Sequence, residues 1–90
     1  MGKFEIICET SFVSRGTVKE RKTVIEESFE KYGDAEFYLQ KICSFYRMQL
    51  NRQLDDRIKS IDYKGKYLGI TIDNSKYIET KLYYICKRMI

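Results

Sequence analysis

The sequence predicts an α+β domain, an antiparallel sheet packed against one long helix in the order ββαβββ. Three observations carry that prediction. The first segment alternates Phe4, Ile6 and Cys8 against Glu5, Ile7 and Glu9, the period of two that marks a half-buried strand. The stretch from Asp34 to Asp56 contains neither Gly nor Pro and repeats its apolar residues at helical spacing. The remainder is cut by Lys64-Gly65 and Asn74-Ser75 into short runs rich in Ile, Tyr and Thr, residues that favour extended backbone.

Taken in order, residues 3 to 13 form the first strand and Ser14-Arg15-Gly16 a turn. Residues 17 to 31 carry two conflicting signals. Thr17 to Glu20 fits a capping box, and Arg21, Ile25, Phe29 and Tyr32 recur at helical spacing. The β-branched cluster Thr23-Val24-Ile25 favours a strand, which would also pair the open edge of the first strand, so a strand is expected. Asp34 is placed as the helix N-cap, with the helix running to about residue 55. Centred on Ile42, the positions Ala35, Tyr38, Leu39, Phe45, Tyr46 and Gln49 share the face expected to pack on the sheet. Cys43, Leu50 and Leu54 widen the apolar arc on one side and Phe37 and Met48 on the other, leaving a polar strip of Gln40, Ser44 and Arg47. A helix apolar over so much of its circumference needs cover on more than one side or offers a surface to a partner. Arg57 to Tyr63 and Lys66 to Asp73 follow as a hairpin. The segment from Lys76 onward reads either as an amphipathic helix through Ile78, Leu82, Ile85 and Met89 or as a strand, and its Tyr, Ile and Thr content favours the strand.

A chain of 90 residues is one domain in size, and 43% apolar with 33% charged residues is a globular balance. No apolar run approaches the roughly 20 residues of a membrane span, so no membrane partner is expected. The N-terminus lacks the features of a secretory signal, which with the cysteine pattern places the chain in the cytoplasm. Cys8, Cys43 and Cys86 are odd in number and far apart, the pattern of reduced thiols rather than of a disulfide framework or a zinc site. The net charge of +4 is uneven: residues 1 to 45 carry seven Lys/Arg against eight Asp/Glu, and residues 46 to 90 carry ten against five.

The chain contains no His, which removes the commonest proton shuttle and every Ser-His or Cys-His nucleophile pair. Its glycines form neither GxGxxG nor GxxxxGK[ST], so no nucleotide cofactor is expected, and no metal. Glu26-Glu27 and Asp55-Asp56 are paired acids, but neighbours on a strand point to opposite faces and the second pair falls where a helix ends; both are expected to be solvated. An enzyme is therefore not expected.

Two surfaces stand out. One flank of the helix carries Phe37, Lys41, Met48 and Arg52 at helical spacings, large apolar groups ringed by cations, as in interface anchors. The alternative for this flank is that a longer strand or the hairpin around residues 9 to 22 folds over and buries it. The second surface interleaves Tyr63, Lys64, Lys66, Tyr67, Tyr83, Lys87 and Arg88, rings and cations of the kind that stack bases and follow phosphates. The first surface leads to the principal expectation, a small non-enzymatic binding protein that inhibits or modulates a larger protein by occupying its surface. Size and composition suit a phage or mobile-element product of anti-defence or host-takeover type. A homodimer through the helix is a variant of the same reading, and a basic, aromatic-rich nucleic-acid-binding domain is the alternative.

Overall fold

The computed structural model describes residues 3–88, in which an antiparallel five-stranded sheet carries one helix on one face. The elements are β1 (Phe4–Ser14), β2 (Thr17–Phe29), α1 (Tyr32–Asn51), β3 (Ile58–Tyr63), β4 (Tyr67–Asp73) and β5 (Ile78–Lys87). Across the sheet the strands run β2-β1-β5-β4-β3. Because α1 joins β2 to β3, it carries the chain from one edge of the sheet to the other. Both ambiguous segments, 17 to 31 and 76 onward, are extended through β2 and β5. Residues 89 and 90, the end of the last predicted strand, lie outside the described residues.

Register decides which side chains meet the helix. Cys8 stands opposite Tyr83, Ile6 opposite Ile85, and Leu68 also opposite Tyr83. Ile58 and Ile61 stand opposite Ile72 and Ile70. Since side chains alternate, these residues share the helix-facing side. Ile6, Leu39, Leu68 and Ile70 are wholly buried there, each contributing about 1.5–3 kcal/mol by leaving water. The opposite face carries a cross-strand row of Ile25, Ile7, Tyr84 and Tyr67. Ile7 is only 9% exposed although no element among the described residues covers that face, because its neighbours in the row close around it. The Tyr84 hydroxyl donates to Glu9 Oε1 at 3.0 Å on the same side.

The hairpin β1–β2 turns through Arg15 and Gly16, both with positive φ, the geometry of a two-residue turn matched to strand twist. β2 is an edge strand, and its residues 17–27 are exposed throughout. Two register shifts, at Ile6/Ile7 and Phe12/Val13, mark bulges in the pairing of β1 with β2.

The helix differs from expectation in its bounds and in its face. Lys31, not Asp34, is the N-cap and forms no side-chain cap; Asp34 lies in the first turn, where its charge favours the exposed N–H groups. The helix stops at Asn51 because Gln53 turns left-handed, with φ 55°. The Gln53 N–H donates to Leu50 O at 3.1 Å and the Leu54 N–H to Gln49 O at 2.9 Å, closing the end as a Schellman motif. The buried seam is Ala35, Leu39 and Cys43, each four residues from the next, with Tyr38, Ile42 and Tyr46 of the expected face partly buried beside it, so the sheet-facing side is turned from Ile42 towards Cys43. Small residues at both ends of that seam let the helix approach the sheet closely. The same rotation turns Phe45, expected to pack on the sheet, outward to 53% exposure.

Candidate functional site

The side of α1 opposite the seam is a stripe along the helix. Ala35, Leu39 and Cys43 point into the sheet, so positions half a turn away must point out. Phe37, 56% exposed, and Met48, 38% exposed, occupy that outer side, and Phe45 is exposed at its margin, where the helix borders Ile72, Glu79 and Lys81 of the sheet. Lys41 sits between them, with Nζ 4.8 Å from the centroid of the Phe37 ring. That is a cation–π contact made by i, i+4 spacing, worth about 0.5–1 kcal/mol at an exposed site. Arg52, at the C-cap, is exposed at the far end. The predicted flank of Phe37, Lys41, Met48 and Arg52 is thus one continuous exposed surface. The hairpin around residues 9 to 22 does not fold over it: β1 lies inside the sheet and β2 at its edge.

Phe45 extends this surface and was not foreseen as part of it. Its ring contacts Tyr46 edge-on, with centroids 5.5 Å apart. The signal that could have placed it was the small-large-small spacing of Ala35, Leu39 and Cys43, which fixes the inner seam and leaves Phe45 outside.

The second predicted set does not assemble into one face. Tyr83 is 6% exposed on the helix side of β5, and burial, together with Tyr46 and Cys8 beside it, holds its phenol well above the usual tyrosine range. A ring enclosed in this way cannot stack on a base. Tyr63 is half-buried against the same core. Tyr67 lies on the opposite face, donating to Asp62 Oδ2 at 3.4 Å. Lys64 is 3.9 Å from Asp62 Oδ1, and Lys66 is exposed beside it at the turn. Lys87 and Arg88 sit at the end of β5, where the Arg88 N–H donates to Lys3 O at 2.7 Å.

A cleft of about 280 Å³ lies between Phe45 and Tyr46 on the helix, the segment 55–58 that follows it, and Ile72, Glu79 and Lys81 of the sheet. Its charged groups already have partners. Arg57 Nη2 reaches Asp55 Oδ2 at 2.8 Å, Arg57 Nε reaches Asp55 Oδ1 at 2.9 Å, and Arg57 Nη1 donates to Asn74 Oδ1 at 3.0 Å. Hydrogen bonds from the Arg57 side chain and backbone hold the Asp55 carboxyl below the usual carboxylate range. Lys81 stands 3.7 Å from Glu79 in the same cleft. Of the acid pair Asp55-Asp56, then, the first is a clasp rather than a solvated charge. Glu26 and Glu27 are both exposed on β2. Among the described residues no group of three or more His, Cys, Asp or Glu is placed to hold a metal ion, and no helix is long and apolar enough to cross a membrane.

No protein-family model matches the chain, and comparison with curated proteins and with solved structures found no match.

Proposed function

We propose that the protein acts by binding another protein, without catalysis, and that the outer stripe of α1 is the contact surface. The observation that supports this is the exposure of Phe37 and Met48 on the side of the helix away from the sheet, with Phe45 exposed at the margin of the same surface. Single exposed apolar side chains are ordinary; three large ones grouped on a rigid helix, with Lys41 and Arg52 among them, have the composition of an interface centre. Full burial of such a side chain contributes about 1.5–3 kcal/mol, so two or three of them supply the core of a specific contact. In this reading the chain modulates a larger cytoplasmic protein by occupying its surface. The absence of His in the sequence and the pairing of charges in the Asp55–Arg57 cleft fit a role that rests on contact.

The test is capture of a partner by the tagged chain, compared with Phe37→Ser and Met48→Ser. Both side chains are exposed, so the variants are expected to unfold with a free energy within about 1 kcal/mol of the parent's. Loss of the partner from both variants is the expected outcome, and undiminished capture refutes the surface assignment. Nucleic-acid binding finds less support, because only Lys64, Lys66 and Tyr67 of its expected residues stand free of the core near one turn. It is separated by salt: phosphate contacts weaken steeply as salt rises, and an apolar contact barely responds.

A further inference from the structure

The outer stripe of α1 is complementary to itself when reversed. Asp34 and Arg52 are eighteen residues apart, five helical turns, so they lie on one line along the helix about 27 Å from each other. Phe37 and Met48 are eleven apart, close to three turns, and lie on nearly the same line. Lys41 and Phe45 flank the centre of the stripe. All three pairs share a midpoint within half a residue of Cys43, and each joins chemically complementary partners: an acid with a base, an aromatic ring with a thioether, a cation with an aromatic ring. Asp34, Phe37, Lys41, Phe45, Met48 and Arg52 are all exposed. The side chains of Asp34 and Arg52 form no ion pair or hydrogen bond among the described residues.

From this we infer that a second copy of the chain docks on the stripe, the two α1 helices running antiparallel about a two-fold axis on the outer side of the helix, level with Cys43. Charge selects the direction. A parallel pair would set Asp34 against Asp34 and Arg52 against Arg52, whereas the antiparallel pair sets each Asp34 against the partner's Arg52. The same reversal lays Phe37 against the partner's Met48 and Lys41 against the partner's Phe45. Ser44, small and exposed at the crossing point, leaves room for the helix axes to approach to the usual 8–10 Å or so. A contact of this kind is isologous and closes on itself, so it stops at two copies. One helix face per copy is small beside the roughly 800 Å² per partner of a standard interface, and the dimer is accordingly weak and reversible. This inference rests on the stripe being a contact surface, and it adds a regulation: self-pairing and capture of a different protein exclude each other.

The experiment is sedimentation equilibrium of the full chain over a wide concentration series, for the parent and for charge-reversed variants. The parent is expected to show a reversible monomer–dimer equilibrium. Asp34→Arg alone and Arg52→Asp alone each weaken it about tenfold, since each places two like-charged contacts in the dimer. The double variant carrying both changes regains the parent's association, and the two single variants mixed together pair with one another more tightly than either does with itself. Phe37→Ser abolishes the dimer. A parent that stays monomeric throughout, or a dimer indifferent to both reversals and to Phe37→Ser, overturns the inference. The two proposals fail separately. A monomeric parent that still loses a captured protein on Phe37→Ser leaves the binding function standing, while a stripe-dependent dimer that captures nothing leaves only the dimer.

Discussion

Asp55 and Arg57 hold the chain where it leaves the helix, and their chemistry has a pH signature. Arg57 donates to Asp55 through Nε, Nη2 and its own backbone N–H, the last at 3.1 Å, so the folded protein favours the ionised carboxylate. A carboxyl depressed on folding adds stability at pH values above its unfolded value, here about 3.8, and that stability is lost as pH falls through the lower folded value. Asp55→Asn is therefore expected to destabilise the protein in urea at about pH 7, with the gap to the parent narrowing as the pH is taken below the unfolded value towards about 2. An equal gap at both pH values shows that the carboxylate's charge is not what Arg57 recognises. Phe37 and Lys41 are the opposite case, since their contact is local to the helix surface and holds nothing else in place. Changing them should alter what the protein binds far more than how firmly it folds.

At the scale of elements, the end of α1 offers the sharpest test. Gln53 takes a left-handed conformation that a side chain resists, while the Schellman hydrogen bonds of residues 53 and 54 require it. Gln53→Gly is expected to raise stability by about 0.5–1 kcal/mol in chemical denaturation, and a loss would mean that the Gln side chain contributes a contact of its own. This stop also explains what the sequence concealed. With no Gly after Asp34 until Gly65, nothing marked residue 53 as a terminus, and the helix was expected to reach residue 55. The strands were readable because Phe4, Ile6 and Cys8 alternate strictly and because Lys64-Gly65 and Asn74-Ser75 fall between them. The helix surface was readable only in part. Phe37 and Met48 lie far from any plausible seam, but Phe45 could be assigned to either side until the contact with the sheet fixed Ala35, Leu39 and Cys43 as the inner line. The scatter of Tyr63, Tyr67 and Tyr83 was hidden for a different reason. Proximity in sequence says nothing about which face of a sheet a ring occupies until register is known.

For the molecule as a whole, a sheet covered on one side by a single helix concentrates its stability in few residues. Leu68, wholly buried on the helix-facing side of β4 and directly opposite Tyr83, is among the most enclosed. Leu68→Ala is expected to cost about 2–5 kcal/mol, measured by urea or thermal unfolding, because the sheet cannot readily close the cavity. A cost below about 1 kcal/mol would mean that the core is loosely packed. The strand order has a further consequence for how the fold is reached. β1 and β5, the first and last strands, are neighbours inside the sheet, and without that pairing the hairpin β1–β2 and the meander β3–β4 share no strand-to-strand hydrogen bonds. A nascent chain therefore cannot complete this sheet until β5 has left the ribosome. Contacts so distant along the chain slow folding, and until β5 arrives the incomplete halves expose strand edges to whatever else is nearby.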